Sequence, residues 1–409
     1  MLRSPRRTAN YTTLRSPAPS QSTILSHMAT LAAWLHNIDP FAIKFPDGFI
    51  LDGIRWYGLA YLSTFAIGFL LVRKIAKTGR TTLAPVETMD FVITVAIGVI
   101  LGGRLGYVFF YKPQLLIEFF GNFPYWGVFQ LNKGGMSSHG GMIGVGVAVW
   151  WYAWRSKRKI AAAATLTPTP PANAPKPAPH RWLHLFDFAS FTATVGFFFG
   201  RLANFVNAEL LGRPCDPNFA WAVKFPQELH DLSTKWLGSG NPDDMLALTG
   251  AAENVGVAAA QWTQAIASND INFVDHTIAK IIAAIQEGGQ SGSLIGDLVA
   301  PLLTAHHPSQ LYAAFTEGVV VFVVLFILWL KPRKPGIITA TFGALYGLMR
   351  ILNEFYRTPD SHIANQEFAA LHLTRGQLLS FVLTLGSLAL LYWCAKRNVP
   401  KMGGLLREK

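Results

Sequence analysis

Hydrophobic residues make up 51% of the 409-residue chain and charged residues only 14%, whereas an ordinary soluble domain carries about a quarter charged residues. This composition excludes an ordinary soluble protein and indicates one that lies mostly within a membrane. The net charge of +12 does not indicate nucleic-acid binding, because most basic residues lie just outside apolar segments.

The first 50 residues are predicted to form an N-terminal extension, disordered over residues 1–27. They begin with the basic residues Arg3, Arg6 and Arg7 but contain no apolar core, so they do not resemble a signal peptide. Met28 is an alternative start of the chain.

Seven apolar segments follow, each about long enough to cross a bilayer as a helix. They cover residues 54–73, 88–110, 138–154, 185–206, 311–330, 336–352 and 376–395. Clusters of Lys and Arg follow every second segment, so the positive-inside rule places the N-terminus outside and the C-terminus in the cytoplasm. The expected fold class is an all-α polytopic membrane protein with about seven transmembrane helices and an external insert of mixed structure.

Four regions are expected after the N-terminal extension. Residues 51–206 hold the first four spans and include a Pro-rich cytoplasmic linker at 156–181, residues 207–309 form the external domain, residues 310–396 hold the last three spans, and residues 397–409 form a basic cytoplasmic tail. A helix is predicted in the external domain, either on the outer membrane surface or as a cap of the domain, from the spacing of Ile271, Val274, Ile278, Ile281 and Ile285.

Polar residues in or beside the spans are concentrated in six short stretches. They are IRWYGLAY (54–61), GGRLGYVFFY (102–111), GGMSSHGG (134–141), FGRLANFVNAELLGRP (199–214), HHPSQLYAAFTEG (306–318) and YGLMRILNEFYRTPD (346–360). Ionisable residues within a membrane are costly and are therefore functional candidates. All six stretches fall toward the external half of the predicted topology, so we expect them to line one polar cavity.

Four arginines in these stretches provide fixed charges with planar donor groups, which suit a phosphate. They are Arg104, Arg201, Arg350 and Arg357. Asn204 and Asn207 add neutral donors. Such a cluster at the depth of the outer leaflet suggests a phospholipid headgroup, although a single arginine there could instead extend to the interface.

Four stretches together resemble the prolipoprotein diacylglyceryl transferases of bacterial inner membranes: GGMSSHGGMIGV, GRLANFVNAELLGRP, HPSQLYAAFTEG and RILNEFYRTPD. The resemblance covers about residues 50–228 and 306–395, and most of the segment between them looks like an addition. The chain departs from the family at Ala203, usually Gly, at Ser138, usually aromatic, and at Ala313, commonly Glu.

The resemblance implies transfer of the diacylglyceryl group of phosphatidylglycerol to the lipobox cysteine of a prolipoprotein. This first step of lipoprotein maturation forms a thioether and releases glycerol phosphate. It also implies a multi-pass protein of the bacterial inner membrane with its site toward the periplasm. The expected partners are phosphatidylglycerol, the lipobox segment and the bilayer, but not nucleic acid.

No cofactor or metal is expected. The nucleophile belongs to the substrate, and no set of His, Asp and Glu has metal-ligand spacing. Cys215 and Cys394 fall on opposite sides of the membrane in the predicted topology, so neither a disulfide nor a Cys metal site is expected.

The predicted catalytic residues are His139, Arg201, Arg350 and Tyr346. Arg201 and Arg350 would bind the phosphate and stabilise the charge that grows on it as it leaves. His139 is the candidate base for the substrate thiol, which is mostly protonated at its ordinary pKa of about 8.5. Alternatively, His139 holds the start of its span or orients the headgroup.

Ten residues are predicted to bind lipid. They are Tyr57, Arg104, Gly140, Gly141, Asn204, Asn207, Glu209, Glu354, Arg357 and Gln377. Glu209 and Glu354 are expected to orient the arginines, since unpaired carboxylates there would be costly. The two glycines would allow close approach of lipid or backbone. Tyr57 and Tyr346 could equally be interfacial tyrosines.

Three other functions fit the sequence less well. A lipid or small-anion transporter would need a cytoplasmic route, yet the polar residues crowd toward one side. An intramembrane hydrolase is poorly supported because the sequence lacks a GxSxG motif. In addition, Ser137, Ser138 and His139 are adjacent in the sequence rather than on separate elements. A receptor-like protein would not explain four arginines among glycines. His307, Ser309 and Gln310 are expected to have structural roles.

Overall fold

The computed structural model describes residues 33–46, 52–121, 124–130, 135–166, 181–230, 242–358 and 374–406. Within these ranges the chain is mostly helical, as expected for a helical membrane protein. The predicted disorder over residues 1–27 and the alternative start at Met28 lie outside the described residues.

Eleven helices are described. They are α1 (Trp56–Ala76), α2 (Thr88–Phe110), α3 (Ser138–Leu166), α4 (Trp182–Val206), α5 (Pro242–Asn254), α6 (Ala259–Ala267), α7 (Ile271–Glu287), α8 (Gly289–Val299), α9 (Ser309–Trp329), α10 (Ile337–Glu354) and α11 (Arg375–Lys396). Five of them, α1, α2, α4, α9 and α11, are long and apolar enough to cross a membrane. The other two predicted spans lie in α3 and α10.

Helix α3 extends beyond its predicted span and into the predicted linker. The span was expected to end at residue 154, but the helix continues to Leu166. The added part includes Ala161–Ala164, and alanine is the strongest helix former. The prolines that define the linker begin at Pro168, outside the described residues.

Helix α9 changes its winding in the middle. It is α-helical over Ser309–Ala313, π-helical over Ala314–Val320 and α-helical again over Val321–Trp329. Gly318 lies in the π-helical stretch, where a Cβ atom would come within 2.8 Å of the Phe198 Cα on α4. The wide turn therefore occurs where α9 packs most closely against α4.

Two small sheets connect distant parts of the chain at one end of the bundle. Strand β1 (Trp34–Leu35) pairs in parallel with β4 (Val223–Lys224), which pairs antiparallel with β5 (Ala305–His306). Strands β2 (Phe41–Lys44) and β3 (Gly53–Arg55) form an antiparallel pair before α1. The end of the predicted N-terminal extension is therefore part of the fold.

Helices α5 to α8 form a separate apolar core beside these strands, which we call the insert. Its buried residues include Leu248, Trp262, Ile278 and Ile295. The predicted helix is confirmed as α7, where four of the five spaced apolar residues are buried and Ile271 is exposed. Because this apolar face packs inside the insert, α7 is part of the domain core rather than a surface helix.

Helices α2 and α3 pack through glycines. A Cβ atom at Gly102 would lie 2.7 Å from the Gly144 Cα, and one at Gly106 would lie 2.6 Å from the Gly140 Cα. Small residues four apart allow this backbone contact, which is common between membrane helices. Gly140, the first residue of the GGMIGV stretch, therefore contacts the backbone of α2.

The opposite end of the bundle is held by Asp187 on α4. Its carboxylate accepts hydrogen bonds from the backbone of Gly336 (2.8 Å) and Thr339 (2.9 Å) and from the Thr339 hydroxyl (2.9 Å). These groups belong to the first turn of α10, whose free N–H groups need acceptors. A side chain of α4 thus caps the N-terminal end of α10.

We expect Gly140→Ala to destabilise the protein, because its methyl group would lie 2.8 Å from the Gly106 Cα. Overpacking of this kind costs about 1–3 kcal/mol. Gly141→Ala is the matched control, since its methyl group would lie 3.8 Å from the nearest neighbouring atom. Thermal unfolding of both variants in detergent tests this, and equal midpoints would contradict the packing described.

The insert end of the bundle contains a buried histidine, His36. Its ring lies 5.3 Å from the rings of both Phe205 and Phe225 and is fully buried. Burial lowers the pKa of this imidazole from 6.5 to about 4, because the charged form loses its hydration. The folded protein therefore holds His36 neutral.

Acid should destabilise the protein through His36. Between pH 6.5 and about 4 the unfolded chain takes up a proton at this residue and the folded chain does not. The loss is about 1.4 kcal/mol per pH unit in this window. His36→Phe should flatten the dependence of unfolding free energy on pH, whereas His276→Gln at an exposed histidine should leave it unchanged.

Candidate functional site

A buried ion pair joins two helices at the centre of the site. Glu317, in the π-helical stretch of α9, is fully buried, and its Oε2 accepts from Arg201 Nη2 at 3.0 Å and from Nε at 3.2 Å. Arg201 lies near the end of α4 and is 17% exposed. A carboxylate buried without such a partner would be strongly destabilising.

Asn353 of α10 adds a third helix to this pair. Its side-chain amide donates to Glu317 Oε1 at 3.0 Å and to the Thr316 hydroxyl at 2.8 Å. Both oxygens of Glu317 are therefore paired. Sequence reasoning assigned no role to Glu317 or Asn353, although an acidic residue inside an apolar span requires a cationic partner.

A second ion pair lies at the end of α10. Arg350 Nη2 contacts Glu354 Oε2 at 3.0 Å, four residues along the same helix. The Thr374 hydroxyl donates to Glu354 Oε1 at 3.0 Å. Glu354 therefore lies beside Arg350, and the sequence had suggested that this carboxylate orients an arginine.

Glu209, in contrast, pairs with neutral groups. The Tyr57 hydroxyl donates to Glu209 Oε2 at 2.6 Å, and the Asn204 amide donates to the same oxygen at 3.2 Å and also to the Tyr57 hydroxyl. This differs from the prediction that Glu209 orients an arginine. Tyr57 is fixed by these contacts to the end of α4.

Tyr346 lies among the charged groups. Its hydroxyl is close enough to interact electrostatically with Glu317, Arg201, Arg350 and Arg357, and its ring stacks on Phe197 at 4.5 Å. Arg201 is similarly close to Tyr57. The structure thus brings together eight of the predicted site residues. They are Tyr57, Arg201, Asn204, Glu209, Tyr346, Arg350, Glu354 and Arg357.

The loop after α4 has an unusual backbone conformation on both sides of Glu209. Ala208 and Leu210 have φ angles of 53° and 55°, which L-residues adopt infrequently. Gln310 donates to the Glu209 carbonyl at 2.6 Å, and Ser309 donates to the Leu210 carbonyl at 3.3 Å. Ser309 and Gln310 therefore hold the loop after α4.

The same loop is fastened to β5 and to the segment after α10. The His306 Nδ1 contacts the Gly212 carbonyl at 2.7 Å, and His306 Nε2 lies 3.5 Å from Glu228. Burial opposes the charged imidazole, but Glu228 and the Gly212 carbonyl more than compensate and raise its pKa. Arg357, by its backbone, bridges to Gly212.

Arg104 has partners different from those predicted. It donates to the carbonyls of Val128 (2.7 Å), Gly127 (2.7 Å) and Gly135 (3.1 Å), and it is 5% exposed. It therefore holds the loop before α3, rather than presenting its donors to a phosphate. A basic residue near an interface gives no sequence signal that separates these two roles.

Three other predicted residues have local contacts. The Gln377 side chain accepts from the Thr374 backbone at 3.1 Å and so caps α11. Asn207 ends α4, and its Oδ1 is buried without a hydrogen-bond partner among the described residues. Gly141 lies on α3, with the Val99 carbonyl as the nearest neighbour a Cβ atom would meet. The side chain of His139 lies outside the described part of the chain.

An apolar cavity of about 270 Å³ extends along the bundle from this site. It lies between α1, α2 and α4, with Tyr57 and Gly200 at the insert end and Val72 and Phe91 near the other end. A polar cluster therefore opens beside a long apolar space. Among the described residues, no group of His, Cys, Asp and Glu is arranged as a metal site.

Glu317→Ala should destabilise the protein by about 3–5 kcal/mol, because Arg201 would keep a largely buried charge without its partner. Replacing both residues, as Arg201→Met with Glu317→Leu, should restore most of the stability. Glu253→Ala, at an exposed carboxylate of the insert, is the control. Thermal unfolding in detergent measures all three, and a Glu317→Ala protein as stable as the control would contradict the pairing.

Comparison with known proteins identifies the family of the chain. Residues 48–173 and 175–393 match the family model described as prolipoprotein diacylglyceryl transferase. The chain is 40% identical over 374 residues to the phosphatidylglycerol–prolipoprotein diacylglyceryl transferase of Bdellovibrio bacteriovorus, covering 90% of this chain and 96% of that protein. The proteins of the same name from Burkholderia ambifaria and Paraburkholderia phymatum are each 32% identical over 365 residues, with 88% of this chain and 96% and 95% of the relatives covered. The chain therefore belongs to the prolipoprotein diacylglyceryl transferase family.

Proposed function

We propose that this protein is a phosphatidylglycerol–prolipoprotein diacylglyceryl transferase. It transfers the diacylglyceryl group of phosphatidylglycerol to the lipobox cysteine of a prolipoprotein. Family membership and the names of the relatives support the activity. The observation that connects it to this chain is the pair of carboxylate-bound arginines, Arg201 and Arg350, together with an apolar cavity whose lining includes Tyr57 and Gly200, the residue before Arg201.

The reaction is a displacement at carbon. The thiol sulfur attacks the carbon of the diacylglyceryl group that is bonded to a phosphate oxygen. A C–S bond forms and the C–O bond between that carbon and the phosphate breaks. The electron pair of that bond stays on the phosphate oxygen, so glycerol phosphate leaves, and the thiol proton passes to a base. Negative charge grows on the leaving phosphate, and fixed donors stabilise it most in the transition state.

Arg201 and Arg350 are suited to bind that phosphate. A guanidinium has five N–H donors. Glu317 takes two from Arg201, and Glu354 contacts one nitrogen of Arg350, so each arginine has donors left for a ligand. The carboxylates fix the orientation of both side chains before lipid binds. Tyr346 lies close to both guanidinium groups and would contact the same headgroup.

His139 is proposed as the base for the substrate thiol. Its backbone starts α3, beside the glycine contact with α2. An imidazole has an ordinary pKa near neutrality and can accept a thiol proton at physiological pH. Glu209, paired with Tyr57 and Asn204, would help position lipid at the opposite side of the arginines.

The apolar cavity is proposed to receive an acyl chain. It runs along α1 from Tyr57 to Val72, which at a rise of 1.5 Å per residue is roughly 22 Å. An acyl chain beneath a headgroup at Arg201 would enter this space directly. The diacylglyceryl group would then stay in an apolar environment while its phosphate is exchanged for sulfur.

We further propose seven spans, with α3 and α10 as the two additional membrane helices. The basic residues that follow alternate spans support a periplasmic N-terminus, a cytoplasmic C-terminus and an active site toward the periplasm in a bacterial inner membrane. Below the polar cluster lies an apolar core that includes Val149, Phe188, Val321 and Trp329. This filling argues against a transporter that uses the arginines.

The first experiment incubates the purified protein with phosphatidylglycerol labelled in its terminal glycerol and with a lipobox peptide. We expect peptide-dependent release of water-soluble glycerol phosphate, which a Cys→Ser peptide abolishes. Arg201→Ala and Arg350→Ala should each lower the rate at least about 100-fold, the effect of removing one donor to a transition-state oxyanion. His139→Ala should also lose activity.

Arg73→Ala, an arginine at the opposite end of α1, is the control for folding and charge. Activities are compared only between variants whose thermal unfolding midpoints match that of the unchanged protein. Release of no label by the intact protein would contradict the transferase, and a protein that instead moves labelled lipid between leaflets of a vesicle would be a transporter.

A further inference from the structure

Glu354 contacts two different structural elements at once. One carboxylate oxygen, Oε2, lies 3.0 Å from Arg350 Nη2, and the other, Oε1, accepts a hydrogen bond of 3.0 Å from the Thr374 hydroxyl. Glu354 is 5% exposed. Thr374 immediately precedes α11, so this contact joins the end of α10 to the start of the next helix.

The Thr374 hydroxyl also caps α11. It accepts from the Gln377 backbone N–H at 3.1 Å, and Gln377 Oε1 accepts from the Thr374 backbone N–H at 3.1 Å. A capping box needs only an acceptor at the first position, which Ser, Asn and Asp supply as well as Thr. Capping therefore does not explain why the hydroxyl hydrogen points to Glu354.

The start of α11 fits the Glu354 carboxylate closely. A Cβ atom at Gly376 would lie 2.8 Å from Glu354 Oε1 and 3.1 Å from its carboxyl carbon. The N-terminal end of a helix also carries partial positive charge, which favours a carboxylate. Thr374 and Gly376 thus form a seat for the Glu354 side chain.

We propose that Thr374 is a positioning residue for diacylglyceryl transfer, acting through Glu354 on Arg350. A free carboxylate tends to bind arginine with both oxygens and to occupy two of its donors. Because Thr374 holds Oε1, Glu354 contacts Arg350 through Oε2 alone. The other donors of Arg350 then remain available for the lipid phosphate. This inference rests on the proposed role of Arg350.

Two nearly isosteric substitutions separate this role from capping. Asn and Asp are both strong capping residues, but only Asn has a donor for Glu354. Thr374→Asn and Thr374→Asp proteins should therefore both keep the cap of α11. Thr374→Asp should lower kcat/KM for phosphatidylglycerol at least about tenfold relative to Thr374→Asn, because it places a second carboxylate against the first.

The measurement is the labelled-lipid assay with phosphatidylglycerol and lipobox peptide varied separately. Thr374→Ser, which keeps both hydrogen bonds, should retain activity within about twofold. The KM for peptide should stay unchanged in all three variants, since Arg350 is proposed to bind lipid. Equal activity of stable Thr374→Asp and Thr374→Asn proteins would overturn the proposal.

Arg350→Ala distinguishes the two levels of inference. If Arg350→Ala keeps full activity, the proposed role of Arg350 fails and the role of Thr374 fails with it. If Arg350→Ala is inactive while the Asp and Asn variants at position 374 are equally active, only the role of Thr374 fails.

Discussion

The buried Glu317–Arg201 ion pair is the interaction on which the site depends. It joins α4 to α9, and Asn353 joins α10 to the same carboxylate. An arginine in a membrane can extend toward water and lose any fixed direction. Glu317 prevents this, because leaving its own carboxylate unpaired at full burial would cost far more than the mobility of Arg201 gains. The charge is thus held in place before any substrate arrives.

The same arrangement recurs with variation around the site. Arg350 is held by Glu354, and Tyr57 is held by Glu209 and Asn204. Each carboxylate fixes the position of its partner, and the two arginines keep N–H donors that these carboxylates do not use. A site of this kind needs little reorganisation when charge develops on a phosphate, and preorganised donors of that type are a large term in enzyme catalysis.

The sequence allowed the helices and the polar stretches to be predicted, because apolar length and the cost of charge in a membrane are local properties. It also indicated that Arg201 and Arg350 would share a site. It could not indicate that Arg104 binds carbonyls of a loop, or that Glu317 is the partner of Arg201. Those pairings depend on which helices become neighbours and on the winding of α9, which one sequence does not encode locally. The extension of α3 was not predicted, because the alanines at its end were assigned to the same linker as the prolines that follow them.

The glycine contact between α2 and α3 has a consequence for how lipids reach the site. At Gly102, Gly106, Gly140 and Gly144 the two backbones touch, with no side chain between them. A gap there would require both helices to move apart as whole bodies, against a continuous surface of contact. A lipid therefore cannot pass between α2 and α3 at these glycines. A lipid that enters from the bilayer would have to pass between other helices, and the apolar cavity is bordered by α1 and α4 as well as by α2.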